Sequence, residues 1–226
     1  MKIGDYECRS YQSGNPEFLV IQPVGDHDIN ILEDQIGWMK AHTPNVFHLT
    51  AVRVDNWNEE LSPWEAPAAF GDRGFGQGAA ETLAFIEKEL IPEVRQHYGI
   101  SEEVPVILGG YSLAGLFSLW GAYQTDAFRA VSAVSPSVWF PGWIEYAGTH
   151  APQTEAIYLS LGNKEEKTKN RLMSRVGDCI REQDRLLSEK DCIKHTLEWN
   201  EGNHFREPEV RMAKGLLWCM KELASI

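Results

Sequence analysis

Val106-Ile107-Leu108-Gly109-Gly110-Tyr111-Ser112-Leu113-Ala114-Gly115-Leu116 runs from a short apolar strand, through two glycines, a tyrosine and a serine, into the apolar stretch Leu113 to Ala122. A strand that turns this abruptly into a helix forces the residue at the bend into strained backbone and pushes its side chain into the open. Small residues two before and two after the serine, Gly110 and Ala114, let strand and helix approach closely. The helix opening at Leu113 points its first N–H groups at the place where an oxyanion would form. Ser112 is therefore the candidate nucleophile and Leu113 a candidate oxyanion donor. An ordinary strand-to-helix turn with Ser112 as N-cap has a similar composition. Ala114 also stands where strict G-x-S-x-G has glycine.

Outward from this turn the chain alternates between strand-like and helix-like runs. Phe18 to Pro23, Val46 to Val54, Val104 to Leu108, Ala130 to Val134, Ile157 to Leu161 and Cys192 to Trp199 read as strands. Ile31 to Ala41, Ala79 to His97, Leu172 to Leu187 and Arg206 to Leu223 read as amphipathic helices. Asp55 to Gly78, rich in Trp, Pro, Phe and Gly, reads as a long loop. Such alternation predicts the α/β class: a mostly parallel sheet with helices on both faces. In these sheets reactive groups sit in loops at the carboxyl ends of strands. Ser112, Gly162 to Glu166 and His204 all fall there.

The chain has 226 residues, 43% of them hydrophobic, enough for a substantial core. No linker-like or repetitive tract divides it, so residues 1–226 read as one domain. A net charge of −12 argues against nucleic acid and anionic membrane as partners. No apolar run is long enough to span a bilayer. Met1 to Glu7 shows no signal-peptide pattern, and Cys8, Cys179, Cys192 and Cys219 lack metal-type or C-x-x-C spacing. The expectation is a cytoplasmic protein with free thiols. The Asp26-His27-Asp28 cluster does not make a metal site, because three adjacent residues do not converge on one ion. No metal or other cofactor is expected. Nothing in the sequence signals an oligomeric state.

A serine hydroxyl needs a base, and the base needs a third group to hold its tautomer. In a sheet of this kind the chain order is serine, acid, histidine. His150, His195 and His204 follow Ser112. His195 lies in a strand-like segment and His150 in an irregular stretch. His204, after Gly202-Asn203 and just past a strand end, is the candidate base. For the acid, Gly162-Asn163-Lys164-Glu165-Glu166 follows a strand, and loop reach favours Glu165 over Glu166; a Ser–His dyad stays open. The second oxyanion donor belongs to the loop Val24-Gly25-Asp26-His27, with Gly25 and Asp26 as candidates.

These segments resemble the α/β-hydrolase superfamily and, within it, the putative-esterase family of esterase D, feruloyl and acetyl xylan esterases, mycolyltransferases and siderophore esterases. The likeness runs from about Phe18 to the C-terminus. It rests on Gly109 to Gly115, Ser135-Pro136-Ser137-Val138-Trp139-Phe140, Gly162 to Glu165 and Gly202-Asn203-His204-Phe205. It implies Ser112 as nucleophile, Glu165 as acid, His204 as base and an oxyanion loop at Gly25-Asp26. It also implies a compact α/β-hydrolase fold; in this chain no segment is long enough to be a large lid. The short stretch before Phe18 suggests that an edge strand or two of the family is missing.

The expected reaction is cleavage of a small-molecule carboxylic ester through an acyl-enzyme. An acyltransferase of the same fold, or a non-catalytic binding protein descended from a hydrolase, are the alternatives. Cleft walls are expected from Asp55 to Gly78 and Ser135 to Trp143. Trp57, Trp64, Phe70, Tyr111, Trp139 and Trp143 are the aromatic candidates for contacting substrate.

Overall fold

Apolar segments such as Phe18–Val24 must leave water on both faces, and the computed structural model pairs them into one eight-stranded sheet. Residues 1–12, 14–69 and 71–225 are described. In chain order the elements are β1 (Lys2–Ile3), β2 (Tyr6–Gln12), β3 (Phe18–Val24), α1 (Asp26–Ile29), α2 (Leu32–His42), β4 (Phe47–Arg53), α3 (Trp57–Glu60), α4 (Ala79–Phe85) and α5 (Ile91–Tyr98). They continue as β5 (Val106–Tyr111), α6 (Leu113–Gln124), β6 (Ala130–Val134), α7 (Trp143–Thr149), β7 (Ala156–Gly162), α8 (Val176–Ser188), β8 (Lys194–Asn200) and α9 (Pro208–Ala224).

The strand order is β1-β2-β4-β3-β5-β6-β7-β8. From β4 to β8 every neighbour is parallel, while β1 and β2 join antiparallel. Helices cover both faces, as the alternating pattern predicts. On one face Leu83, Val94, Leu116, Phe117, Ile180 and Leu187 fill the core with the inward side chains of the strands. On the other, Leu32, Ile36 and Met39 of α2 meet Met212, Leu216 and Met220 of α9. The parallel arrangement brings the ends of β3 and β5 to β8 to one edge, where the loops carrying Gly25, Ser112, Ser135, Glu165 and His204 emerge.

Three departures from the sequence expectations have physical reasons. The edge strands β1 and β2 are present in the segment before Phe18, which had no strand assigned. Within β2 only Cys8 is fully buried, so no run of apolar residues betrays it. Asp55 to Gly78 is not wholly irregular: it holds the single turn α3 and a bridge between Ala66 and Phe75. Ala79 to His97 is helical throughout, but a π segment, Ile86–Leu90, joins α4 to α5. Pro92 follows it; lacking an N–H and crowding the preceding turn, it suits a locally widened helix. The four cysteines are free.

The approach of α9 to the sheet depends on Gly215. A Cβ there would lie 2.2 Å from Ser132 Oγ and 2.7 Å from the Tyr158 ring. Both neighbours are buried, so neither swings away freely. Gly215→Ala is expected to destabilise the protein by about 1–3 kcal/mol through overpacking. Chemical denaturation would read this as a lower midpoint; a midpoint equal to the parent would show that α9 shifts without cost.

Candidate active site

Ser112 lies between the last residue of β5 and the first of α6, with φ 59° and ψ −119°. A serine in this region costs about 1–3 kcal/mol and persists only where its surroundings overdetermine it. The surroundings do so. The Ser112 N–H donates to Val134 O (3.0 Å), and its carbonyl accepts from the N–H groups of Leu116 and Ser137 (3.0 Å each). A Cβ on Gly110 would stand 2.2 Å from Ala114 O. Contact is thus tightest on the strand side of the turn, which is why alanine is accommodated at position 114 and only glycine at 110.

Behind β7 and β8 the loops that carry Glu165 and His204 are zipped together. Asn163 N–H donates to Asn200 O (2.9 Å) and Lys164 N–H to Gly202 O (3.0 Å), while Asn163 Oδ1 accepts from Gly202 N–H (3.1 Å). Gly162 permits this, since its Cβ would lie 2.5 Å from Gly202 O. The zipped loops bring Glu165 Oε2 to 2.7 Å from His204 Nδ1. Glu166, one residue on, turns away to Arg181 at 3.1 Å. Of the other two candidate histidines, His195 of β8 bonds Asp184 of α8 (3.0 Å), and His150, just past α7, stacks on Tyr146 of that helix.

The Glu165 carboxylate is 5% exposed and fully engaged. Its Oε1 accepts from Gly162 N–H (2.7 Å), Ser135 Oγ (2.8 Å) and Arg211 Nη1 (3.1 Å). Burial by itself raises the carboxyl's pKa; the bond and charge of His204, with the Ser135 and Gly162 donors, outweigh it and hold Glu165 below the ordinary glutamate value. Arg211, 2% exposed on α9, also donates to Tyr111 Oη (3.2 Å) and to the carbonyls of Glu201 and Asn203 (3.0 Å each). Tyr111 in turn donates to His204 O (2.7 Å).

Arg211 and the role of Ser135 escaped the sequence reading. One signal for Arg211 was present. It is a cation on the same helical stripe as Met212, Gly215, Leu216 and Cys219, all of which are buried. A charge at such a position needs a buried partner. Ser135 offers only its place at a strand end; its φ of 43° belongs to the tertiary structure.

In the loop after β3, the Gly25 N–H is taken by Asp28 Oδ2 (2.9 Å). That donor is therefore already engaged within its own loop, although Gly25 lines the same cavity as Ser112. The Asp26 N–H opens α1 and has no intrahelical acceptor, while the Asp26 carboxylate reaches out to Arg53 (3.0 Å).

Ser112, His204 and Phe205 line both of two adjoining cavities. One, of about 680 Å3, is walled by Gly25 to Asp28, Ile31, Val54, Trp57 and Tyr111. The other, of about 480 Å3, is walled by Ser135, Ser137, Trp139, Lys164, Lys167, Met173 and Val176. Trp57, Tyr111 and Trp139 are thus at the cleft. Trp64 and Trp143 line neither cavity. Trp64 donates to Pro141 O (2.8 Å) and ties its loop to α7, and Trp143 is fully buried, bonded to Gln183 (2.9 Å). Phe70 lies outside the described residues. Of the described residues of Asp55 to Gly78, Asp55 and Trp57 line the cleft, while Phe75 packs on Trp139 and Phe140. Phe205, 84% exposed at the shared mouth, is a wall residue the sequence did not single out.

Comparison with known proteins agrees with this architecture. The siderophore hydrolase EstA from Aspergillus nidulans superposes with a TM-score of 0.73 at 17% identity, covering 96% of this chain and 90% of its own. An IroE-like serine hydrolase from Shewanella oneidensis gives 0.69 at 17%, covering 93% and 78%. The enterobactin and salmochelin hydrolase IroE gives 0.69 at 16%, covering 95% and 88%. At these identities the likeness is one of fold, that of the α/β-hydrolases. No curated protein matches the sequence. Residues 39–208 match the family described as "Putative esterase", and the chain belongs to that family of carboxylic ester hydrolases.

Proposed function

We propose that this esterase works by nucleophilic catalysis, with Ser112 as nucleophile, His204 as base and Glu165 as the acid that orients it. The observation that supports this most directly is the 2.7 Å pair of Glu165 and His204 Nδ1 at the mouth lined by a strained serine. With Nδ1 donating to the carboxylate, Nε2 is left as the acceptor. It takes the Ser112 proton as Oγ attacks the ester carbonyl. The N–H groups of Leu113 and Asp26 stabilise the tetrahedral oxyanion. The bond to the alcohol breaks as His204 returns the proton to the leaving oxygen. Water then attacks the Ser112 ester, gives its proton to His204, and the acid departs as Ser112 regains its hydrogen. The His204 side chain is 28% exposed, so water has access to the base; this favours hydrolysis over transfer to a second alcohol.

The first test is covalent. A fluorophosphonate probe should label the protein and stop p-nitrophenyl acetate turnover, with both lost in Ser112→Ala. Turnover that survives in that variant sinks the serine mechanism. Acylated sugars, feruloyl esters and siderophore esters make the panel for the natural substrate.

The acid is tested by amides. Glu165→Gln should lower kcat by roughly ten-thousand-fold, because an amide favours the wrong imidazole tautomer. Glu166→Gln should stay near the parent, having lost only a surface pair with Arg181. Steady-state kinetics on both variants decides, and the reverse order would move the acid to Glu166.

Glu165 also makes stability depend on pH. Its native pKa lies below the ordinary 4.5, so its ionised form is favoured by folding. That contribution is fully present above 4.5 and is lost as pH falls through the native value. The stability gap between the parent and Glu165→Gln should therefore narrow on acidification. A gap that is constant across that range in urea titrations would contradict the pairing.

A further inference from the structure

We propose that the cavity walled by Trp139, Lys164 and Lys167 is an anion subsite, and that the ester this protein cleaves carries a carboxylate. The inference rests on Ser112 and His204 being the reacting pair, because the cavity is defined by its contact with them.

The protein as a whole is strongly anionic, at −12. Against that background, positions 164–175 concentrate Lys164, Lys167, Lys169, Arg171 and Arg175. The two carboxylates of the same stretch are spent elsewhere: Glu165 on His204 and Arg211, Glu166 on Arg181. Among the described residues, none of the five cations has a carboxylate within ion-pair distance. Cations left unpaired in so acidic a chain create a local positive field at one wall of the cleft. Lys164 and Lys167 line the cavity itself, beside the polar groups of Ser137, Thr168 and Asn203.

The cavity on the other side of Ser112 has the opposite character. Asp26, Asp28 and Asp55 line it, and its one guanidinium, Arg53, is shared among Asp26 (3.0 Å), Asp55 (3.4 Å) and Glu7 (3.3 Å). An anionic substrate group is repelled there and attracted on the lysine side. The cleft therefore orients a charged ester by its field as well as by shape. The lysine cavity, at about 480 Å3 with an apolar floor of Met173, Val176 and Trp139, takes a small group. Two ammoniums beside the Ser137 and Thr168 hydroxyls supply point charges and donors enough for one carboxylate.

The experiment uses two matched pairs of esters, since the charge belongs either to the acyl or to the alcohol part. The first pair is p-nitrophenyl hydrogen adipate and p-nitrophenyl hexanoate. The second is meta-butyryloxybenzoate and meta-butyryloxybenzamide, followed by pH-stat. In at least one pair the anion should be preferred in kcat/KM by roughly three- to tenfold at low ionic strength, a size set by solvent-exposed lysines. The preference should appear mainly in KM and shrink toward parity in about 0.5 M NaCl. In Lys164→Gln/Lys167→Gln the ratio of charged to neutral rates should fall to near one. Using a ratio cancels any general damage, and the salt titration of the parent protein stands without a variant. Parity or a neutral preference in both pairs overturns the proposal, as does a preference that persists in the double variant. Ser112→Ala is run on the neutral hexanoate. Turnover that survives there removes the serine mechanism, whereas Ser112-dependent turnover with no charge preference removes only the subsite.

Discussion

One buried guanidinium holds the site in register. Arg211 enters from α9, is shielded from water, and donates to groups at the ends of four successive strands: Tyr111, the last residue of β5, Ser135 after β6, Glu165 after β7, and the carbonyls of Glu201 and Asn203 after β8. Burying an arginine is unfavourable unless its donors are satisfied and its charge is paired. Here both conditions are met, with Glu165 as counter-charge. The net gain in stability from such a pair is small, since desolvation offsets attraction. Its contribution is geometric: a planar fork with fixed donors leaves Glu165 and the loop that carries His204 one mutual arrangement.

Strain is concentrated in the same place. Among the described residues the non-glycine positions with positive φ are Ser112, Ser135 and Glu207. Each borders the site, at the ends of β5 and β6 and just before α9. The first two are linked, because the N–H of Ser112 bonds the last residue of β6 and the N–H of Ser135 bonds Ser160 in β7. Neighbouring parallel strands thus hold one another's bends, and the open serine is maintained by a sheet that is buried on both faces.

The two halves of the cleft differ in the supply of charge as well as in volume. The loop after β3 is rich in aspartate, and the segment after β7 is rich in lysine and arginine. Net charge, taken over the chain, conceals this division. A field set up by exposed groups acts over about a Debye length, comparable with the dimensions of such a cleft, so separated patches are felt separately by a bound molecule.

Periodicity and punctuation in the sequence were enough for the α/β class, the mostly parallel sheet, the strand-to-helix turn at Ser112 and the placing of the Gly162 and Gly202 loops at strand ends, because these are local consequences of apolar runs meeting glycines. Strand β2 was not legible, being an edge whose side chains mostly face solvent. The separation of Trp57 and Trp139 from Trp64 and Trp143 was not legible either. A tryptophan in a loop looks the same whether it faces a cleft or a core, and only packing partners such as Pro141 and Gln183 tell them apart. The same holds for Glu165 and Glu166, adjacent in the chain yet directed to His204 and to Arg181. Local sequence determined that reactive residue types would gather at one edge of the sheet. Tertiary structure decided which atoms met, since hydrogen-bond partners 39 or 46 positions apart are selected by packing that no short stretch encodes.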